Sequence, residues 1–187
     1  MAVNKNNPAV IGASGRFGPT MVFRQKGKLT IMANRPTPTE IEPTAKQMNV
    51  RFSFMEASAY AVSAIADTPL KAAYQAKAKG NQTAYNVAFK DFLTAPILHK
   101  VDTSKYKGAV GDPILCRITD VLAVVAVKLT LYDRDGILVE EGMAVQGSLI
   151  LDWVYKATVA QSAPLGLIVI QMTDVPNNVY TEEYVVV

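Results

Sequence analysis

Apolar and polar side chains alternate along the second half of the chain, after repeating at helical spacing in the part before it. Alternation between turn residues predicts β-strands that are buried on one side. Seven such segments lie between residue 97 and the end: 97–101, 113–119, 121–133, 137–144, 149–158, 166–173 and 179–187. The pattern predicts an antiparallel sheet structure after about residue 96.

Seven short strands separated by turn residues favour an immunoglobulin-like β-sandwich over residues 96–187. In the segment 149–158, one set of side chains points to one face: Leu149, Leu151, Trp153 and Tyr155. Asp152 and Lys156 point to the other. We expect the first face to be inward, with Trp153 and Tyr155 in the core.

Helical spacing dominates residues 44–95. Thr44 and Gln47 have the form of a capping box, which predicts a helix from about residue 45 to 66. Its apolar stripe contains Met48, Phe52, Met55, Ala59, Val62 and Ile65. Two shorter helices are expected over residues 70–79 and 83–93. We interpret these stripes as core, since burial is the usual role of large apolar side chains.

The first 43 residues contain a hairpin and a linker. Apolar and polar residues alternate on both sides of a turn at Lys26-Gly27, which predicts a β-hairpin. Glycines 12, 15 and 18 precede it and predict a flexible arm, so residues 1–35 form an arm and hairpin. Three prolines in residues 36–43 predict an extended linker. The expected fold class is α+β.

The same glycines allow a second interpretation. Gly12, Gly15 and Gly18 have the spacing of a dinucleotide-binding loop, in which backbone approaches a pyrophosphate at a helix N-terminus. Against it, Pro19-Thr20 begins a poor helix, and no strand-helix alternation follows. The chain also lacks the Tyr-x-x-x-Lys pair of most short-chain dehydrogenases. The arm is favoured, and the phosphate-binding loop stays open.

Charge is distributed unevenly. Residues 1–100 carry 13 Lys and Arg against 5 Asp and Glu, and residues 101–187 carry 6 against 11, so net +8 faces net −5. Such a distribution allows one half to attract the other half of a neighbouring copy, or the basic half to attract nucleic acid; the alternative is two solvated surfaces of different sign. The candidate partner contacts are the basic residues of the arm and hairpin: Arg16, Arg24, Lys26, Lys28 and Arg35.

Location follows from what the sequence lacks. No window has the roughly 18 apolar residues of a membrane span. The polar start of the chain does not resemble a secretory signal. We expect synthesis in the cytoplasm without a membrane partner, followed by retention there or incorporation into a virion or extracellular particle.

Catalytic and metal chemistry find little support. The one cysteine, Cys116, alternates in phase with apolar neighbours, and the one histidine, His99, begins the sandwich. Together they cannot supply the four ligands of a structural zinc site. Calcium-type oxygens occur at Asp133, Asp135, Glu140 and Glu141, with Asp120 and Asp174 further away. Asp133-Arg134-Asp135-Gly136 also suits a tight turn, which we favour. We expect no catalytic residue, metal or cofactor.

The order of these parts resembles uncharacterised bacterial and phage-borne proteins of unknown function. The resemblance covers nearly the whole chain and rests on short motifs: Val22 with Arg24, Gly27-Lys28, Arg35-Pro36, Ala84-Tyr85-Asn86, Phe92-Leu93, Asp133 to Gly136, Trp153 and Tyr155. It implies architecture and no catalytic residue. The last part is similar to bacterial immunoglobulin-like adhesion and decoration modules, which mostly bind or build.

Two functions are therefore expected. The first is a non-enzymatic assembly subunit of a phage particle, tail-like device or filament, which docks through its basic N-terminal arm and forms homo-oligomers or larger assemblies. The second, less favoured, is a nucleic-acid-associated module whose basic half neutralises phosphates.

Overall fold

A computed structural model of the chain describes residues 2–4, 7–37 and 41–186. The chain divides into two compact units, Met1–Asn49 and Val50–Val187. Within the described residues there are three helices and three four-stranded antiparallel sheets. The mixed α+β class expected from the sequence is confirmed. The expected linker, residues 36–43, lies partly outside the described residues, as do residues 1, 5, 6 and 187 of the flanking parts.

The first unit contains a sheet built on the predicted hairpin. Strands β3 (Met21–Lys26) and β4 (Leu29–Asn34) pair from Met21 opposite Asn34 to Lys26 opposite Leu29. Gly27 and Lys28 form the two-residue turn, one residue later than predicted. Gly27 has a φ of 60°, which suits the first position of a tight hairpin turn.

Two further strands flank this hairpin. Strand β1 (Ala2–Asn4) pairs with β4, and β2 (Gly15–Phe17) pairs with β3, giving the order β1-β4-β3-β2. Residues 15–17 are therefore part of a sheet, which corrects the expectation of a flexible arm. Three residues are too few to show an alternation, and Gly15 hides the signal further because glycine is depleted in strands.

The helices lie close to their predicted positions. They are α1 (Ala45–Ala66), α2 (Thr68–Lys77) and α3 (Ala84–Leu93). The predicted capping box is confirmed, since Gln47 N–H donates to Thr44 Oγ1 at 3.3 Å and Thr44 N–H donates to Gln47 Oε1 at 3.0 Å. Asp67 caps α2 by accepting from Leu70 N–H at 2.9 Å.

Most of the predicted apolar stripe of α1 does not lie in the core, contrary to the sequence interpretation; of its members only Ile65 packs against the helical core cluster. Phe52 is 53% exposed, Met55 61% and Val62 57%. The buried residues of α1 are instead Ala57, Ala61 and Ala64, of which Ala61 and Ala64 belong to a cluster with side chains of α2 and α3. The sequence analysis identified only the stripe of large residues, whereas the alanines recur at helical spacing too; Ala61 and Ala64 are buried against larger side chains that include Tyr74 and Val87.

In the unit Val50–Val187, two sheets follow the helices. One has the order β5-β6-β10-β9 and the other β12-β11-β7-β8. The strands are β5 (Ile97–Asp102), β6 (Pro113–Thr119), β7 (Val124–Asp133), β8 (Leu138–Met143), β9 (Val145–Gln146), β10 (Asp152–Lys156), β11 (Leu165–Asp174) and β12 (Val179–Val185). Both sheets contribute to one hydrophobic core, as in a sandwich. All seven predicted strands are present, and the two-residue β9 was not predicted.

Strand β10 is shorter than its alternation suggested. Trp153 and Tyr155 are 8% and 2% exposed and belong to the core, as predicted. Leu149 and Leu151 are 57% and 42% exposed, which corrects their assignment to the inward face. Asp152 N–H donates to Leu149 O at 2.9 Å, so residues 149–152 form a turn, and a turn does not continue the alternation of a strand.

Candidate assembly surface

The strand register of the N-terminal sheet places three basic residues on one face. Residues directly opposite each other in an antiparallel pair share a face, as do residues two apart on one strand. Arg16 is opposite Val22, Arg24 is opposite Ile31, and Lys26 is two residues beyond Arg24. We call the face carrying Arg16, Arg24 and Lys26, with Val22 and Ile31 between them, the basic face.

The other face of this sheet carries aromatic and hydrogen-bonded residues. The rings of Phe17 and Phe23 meet edge to face with centroids 5.8 Å apart. Thr30 is 1% exposed, and its hydroxyl accepts from Gly12 N–H at 3.2 Å and from Gln25 Nε2 at 3.0 Å. These contacts hold the segment before β2 against the hairpin.

The structure brings together only part of the predicted basic set. Lys28 lies in the turn after β3, and Arg35 follows β4, where its backbone N–H donates to Thr20 O at 2.7 Å. Thr20, Arg35 and their neighbours 19, 34, 36 and 37 line a groove at that end of the sheet. Lys28 and Arg35 are exposed but are not members of the basic face.

The positive charge of this sheet has no local counterpart. Residues 1–39 contain six Lys and Arg and no Asp or Glu. In the described part of the chain, none of Arg16, Arg24 and Lys26 forms an ion pair; Arg16 Nε instead donates to Gly18 O at 2.9 Å. An uncompensated cluster of like charge attracts an anionic surface from outside the sheet.

The N-terminal sheet also buries little apolar surface. Among the described residues of Met1–Asn49, Thr30 alone is classed as buried, while Val22, Phe23, Ile31 and Met32 are half-buried. Both hydrophobic core clusters consist of residues beyond 56. A sheet normally needs to bury one face against another element. The basic face therefore combines free charge with apolar side chains that a partner would cover.

The glycines before β3 do not form a strand-to-helix turn. Gly12, Gly15 and Gly18 all have positive φ, between 61° and 96°. Gly15 belongs to β2, and the next element after Gly18 is β3. A phosphate at such a loop is held by the N-terminus of a following helix. Among residues 7–37 the structure has only strands and turns, so the phosphate-binding interpretation loses its structural context.

An acidic counterpart lies on the edge strand β12. Its sheet neighbour is β11, and Glu182 and Glu183 are both exposed. Glu183 is opposite Val169 of β11, and Thr130 of β7 and Glu141 of β8 continue the same row across the sheet. Glu141 is paired with Lys128 at 2.8 Å, whereas neither Glu182 nor Glu183 has an ion pair within the described residues.

The single cysteine lies in the hydrophobic core, and the single histidine contacts a threonine on the neighbouring strand. Cys116 is 0% exposed in the core, and burial raises the pKa of its thiol to about 12. A thiol of this kind is protonated and unreactive at neutral pH. His99 is exposed, and its Nε2 lies 2.6 Å from Thr119 Oγ1 on the neighbouring strand.

The acidic residues considered for calcium mostly serve the backbone. Asp133 Oδ1 accepts from the N–H groups of Asp135 and Ile137, both at 2.9 Å, and Gly136 has a φ of 79°. The predicted turn is confirmed. Glu140 Oε2 accepts from Thr158 Oγ1 at 2.6 Å and from Thr158 N–H at 2.8 Å. Among the residues described, no group of three or more metal-binding side chains is found.

Two buried carboxylates, Asp91 and Asp174, and the half-buried Asp120 lie where the helices meet the sandwich. Burial raises the pKa of Asp91, Asp120 and Asp174, in the case of Asp120 to about 6. Neighbouring carboxylates raise the pKa of Asp91 and Asp120 further, and hydrogen bonds lower the pKa of all three in part. Asp91 accepts from Tyr74 Oη at 2.6 Å, and Asp174 accepts from Asn178 N–H at 2.7 Å. The sequence analysis missed Asp91. The available signal was its spacing, because Asp91 follows Val87 by four residues and Ala88 by three and so lies on the apolar side of α3.

Comparisons of the chain with protein-family models, with curated proteins and with solved structures gave no match. None of the described helices is both long and apolar enough to cross a membrane.

Proposed function

We propose that this protein is a non-enzymatic assembly subunit that docks through the basic face onto the acidic β12 edge of another copy. The observation that carries the proposal is the basic face itself, on which three unpaired cations alternate with incompletely buried apolar side chains. Contacts between unlike surfaces of identical chains are heterologous, so they close into rings or propagate into filaments. The expected setting is a phage particle, a tail-like device or a filament.

We further propose that the sandwich is immunoglobulin-like. The strand order supports this, because the first, second, sixth and fifth strands of the sandwich form one sheet and the eighth, seventh, third and fourth form the other. Immunoglobulin domains arrange strands A, B, E and D against G, F, C and C′ in the same way. Such a sandwich leaves its edge strands accessible, and β12 is one of them.

The charge of β12 supports the proposal. Glu182 and Glu183 are exposed on this edge strand and form no ion pair within the described residues, so they offer an anionic surface to the basic face. Attraction between the two surfaces sets which surfaces meet, and burial of Val22 and Ile31 adds affinity.

A charge-exchange experiment tests the docking directly. Replacing Arg16, Arg24 and Lys26 by Glu should abolish assembly, and replacing Glu182 and Glu183 by Lys should do the same. Combining the two sets in one chain should restore assembly, because each surface then meets its opposite charge. A matched control changes Lys71, Lys79 and Lys105 to Glu, which alters net charge equally at exposed sites elsewhere. Assembly lost equally in that control, or not recovered in the combined variant, would refute the proposal.

A second candidate is a nucleic-acid-associated module, which the absence of acidic residues in residues 1–39 favours. It predicts binding of a labelled DNA duplex or single strand by the wild-type protein, with affinity falling steeply between about 50 and 200 mM salt. The Arg16, Arg24 and Lys26 variant should lose this binding, while the Glu182 and Glu183 variant should keep it. If the protein binds DNA in this way and stays monomeric, the result would favour the nucleic-acid-associated module over the assembly subunit.

A further inference from the structure

The outward stripe of α1 has the spacing of a coiled-coil seam. Its members are separated alternately by three and four residues: Phe52, Met55, Ala59, Val62 and Ala66. In a heptad written abcdefg these are positions a, d, a, d and a. All five are exposed. We call this set the α1 seam.

The opposite side of α1 explains why the seam faces outward. Ala57 and Ala64 occupy position f and Ala61 position c. All three are buried, and Ala61 and Ala64 cluster with side chains of α2 and α3. Position f lies diametrically across the helix from the a and d positions. The helix thus packs on its own chain through one side and presents the seam on the other.

Two charged residues flank the seam at the positions that set pairing. Arg51 is at position g, and Glu56, five residues later, is at position e. When two such helices run parallel and in register, position g of one helix lies beside position e of the next heptad in the other. Arg51 would meet Glu56 of the partner, twice by symmetry. In an antiparallel pair each would face the far end of the other helix.

Both charges are available for this role. Arg51 and Glu56 are exposed, and neither forms an ion pair with another residue in the described part of the chain. A surface that is complementary to itself about a two-fold axis is what a symmetric dimer requires. The same two residues therefore specify both the partner and its direction.

We propose that α1 pairs in parallel with α1 of a second copy of this chain. Phe52, Met55 and Val62 supply the apolar contacts, and Ala59 and Ala66 let the helices approach closely. Residues 51–66 span about 24 Å, and the helix is already folded on its own chain, so pairing does not bear the cost of helix nucleation. Five side chains are fewer than a standard interface uses, which places the dissociation constant at roughly micromolar.

This pairing uses none of the residues of the basic face or of β12, so it goes beyond the proposed function and is tested apart from it. The background is the full chain with Arg16, Arg24 and Lys26 changed to Gln, which removes the proposed docking. Sedimentation equilibrium over a micromolar concentration series should show a monomer–dimer equilibrium. A monomer at every concentration would overturn the inference.

Charge variants in this background test the direction of pairing. Arg51→Glu should weaken the dimer about tenfold, because two attractive pairs become repulsive. Glu56→Arg should do the same, and Arg51→Glu with Glu56→Arg should return the dissociation constant close to its starting value.

A methionine variant tests the apolar contacts of the seam. Met55→Gln should weaken the dimer, whereas Met143→Gln, at a methionine of similar exposure on β8, should not. Equal effects at both methionines, or a double variant no better than the single ones, would contradict the pairing.

Cross-linking distinguishes a parallel from an antiparallel pair. Ala66→Cys lies at the end of the seam and meets residue 66 of the partner only when the helices are parallel. Mild oxidation should give a disulfide-linked dimer for Ala66→Cys and not for Ala76→Cys, an exposed site on α2. The native Cys116 is buried in both. Equal cross-linking of the two variants would reject the parallel seam.

The two proposals can fail separately. Salt-sensitive assembly without dimerisation through α1 would support docking by the basic face and reject the seam. Dimerisation through α1 without salt-sensitive assembly would support the seam and reject docking by the basic face.

Discussion

The carboxylate of Asp91, on α3, accepts a hydrogen bond from the backbone N–H of Leu122 at 3.0 Å. Leu122 lies in the loop between β6 and β7, so this bond ties the helices to one end of the sandwich. A second tie runs from Asn178 Nδ2, in the loop between β11 and β12, to Phe92 O at 3.2 Å. Two loops of the sandwich thus hold one helix.

Asp91→Ala should therefore destabilise the unit Val50–Val187. The change leaves Leu122 N–H without its acceptor and takes one of two partners from the Tyr74 hydroxyl, which keeps Tyr60 Oη at 2.7 Å. We expect the free energy of unfolding to fall by about 1–3 kcal/mol, the cost of an unsatisfied buried group. Urea unfolding followed by circular dichroism measures it. Asp135→Ala, at an exposed turn residue, should change the value by less than about 0.5 kcal/mol, and an equal loss in both variants would argue against the tie.

The buried carboxylates should make stability fall as pH rises from about 4.5 to 7.5. Burial raises the pKa of Asp120 to about 6 and also raises those of Asp91 and Asp174. A raised folded-state pKa means that the folded protein holds more protons than the unfolded chain. The stabilisation is complete below the unfolded pKa near 4 and is lost as pH passes through about 6.

Asp120→Asn tests this linkage. Removing the titrating group should flatten the dependence by about 1 kcal/mol between pH 4.5 and 7.5, a modest amount because Asp120 is partly open to solvent. Asp135→Asn serves as the control and should keep the wild-type slope. Carboxylates with lowered pKa, such as Asp112 and Asp152, lose their contribution only below this range. Stability that rose from pH 4.5 to 7.5 in the wild type would contradict the assignment.

Trp153→Ala should cost more than any exposed substitution. Trp153 is 8% exposed, lies in the core and sits opposite Cys116 in the sheet. Replacing a large core side chain by alanine leaves a cavity and lowers stability by about 3–5 kcal/mol. Leu149→Ala, at a residue that is 57% exposed, should cost under about 0.5 kcal/mol. A loss below about 1 kcal/mol for Trp153→Ala in chemical unfolding would show that the side chain does not fill the core.

Helices, strands and turns could be predicted from the sequence where the local pattern was long or chemically specific. The capping box at Thr44 and Gln47 gave the start of α1 correctly, Asp67-Thr68-Pro69 gave its end, and ten residues of alternation gave β7. The turn from Asp133 to Gly136 was predicted because aspartate and glycine fill positions that few residues can. Strands β1 and β2 have only three residues each, which is too short for an alternation pattern, and they were not predicted. Their pairing depends on the hairpin that they flank.

The face that a helix buries was not readable from spacing alone. Both Phe52-Met55-Val62 and Ala57-Ala61-Ala64 recur at helical intervals. Size favoured the first as core, yet the second is the one that is buried, with Ala61 and Ala64 in a cluster with side chains of α2 and α3. For the candidate surface, the sequence supplied the basic residues, but the register of β2, β3 and β4 was needed to show that Arg16, Arg24 and Lys26 share a face. The turn fixes the register of a hairpin, but the sequence analysis placed this turn one residue early and did not identify β2 as a strand.

Light scattering of the purified wild-type protein at low and at high salt tests assembly through the basic face most directly. The chain has a mass of 20.2 kDa. We expect a concentration-dependent mass of several chains or more at low salt that falls markedly when added salt shortens the Debye length to about 3–5 Å. A mass of one chain at both salt concentrations, or a large mass that salt leaves unchanged, would contradict docking between the basic face and the acidic edge.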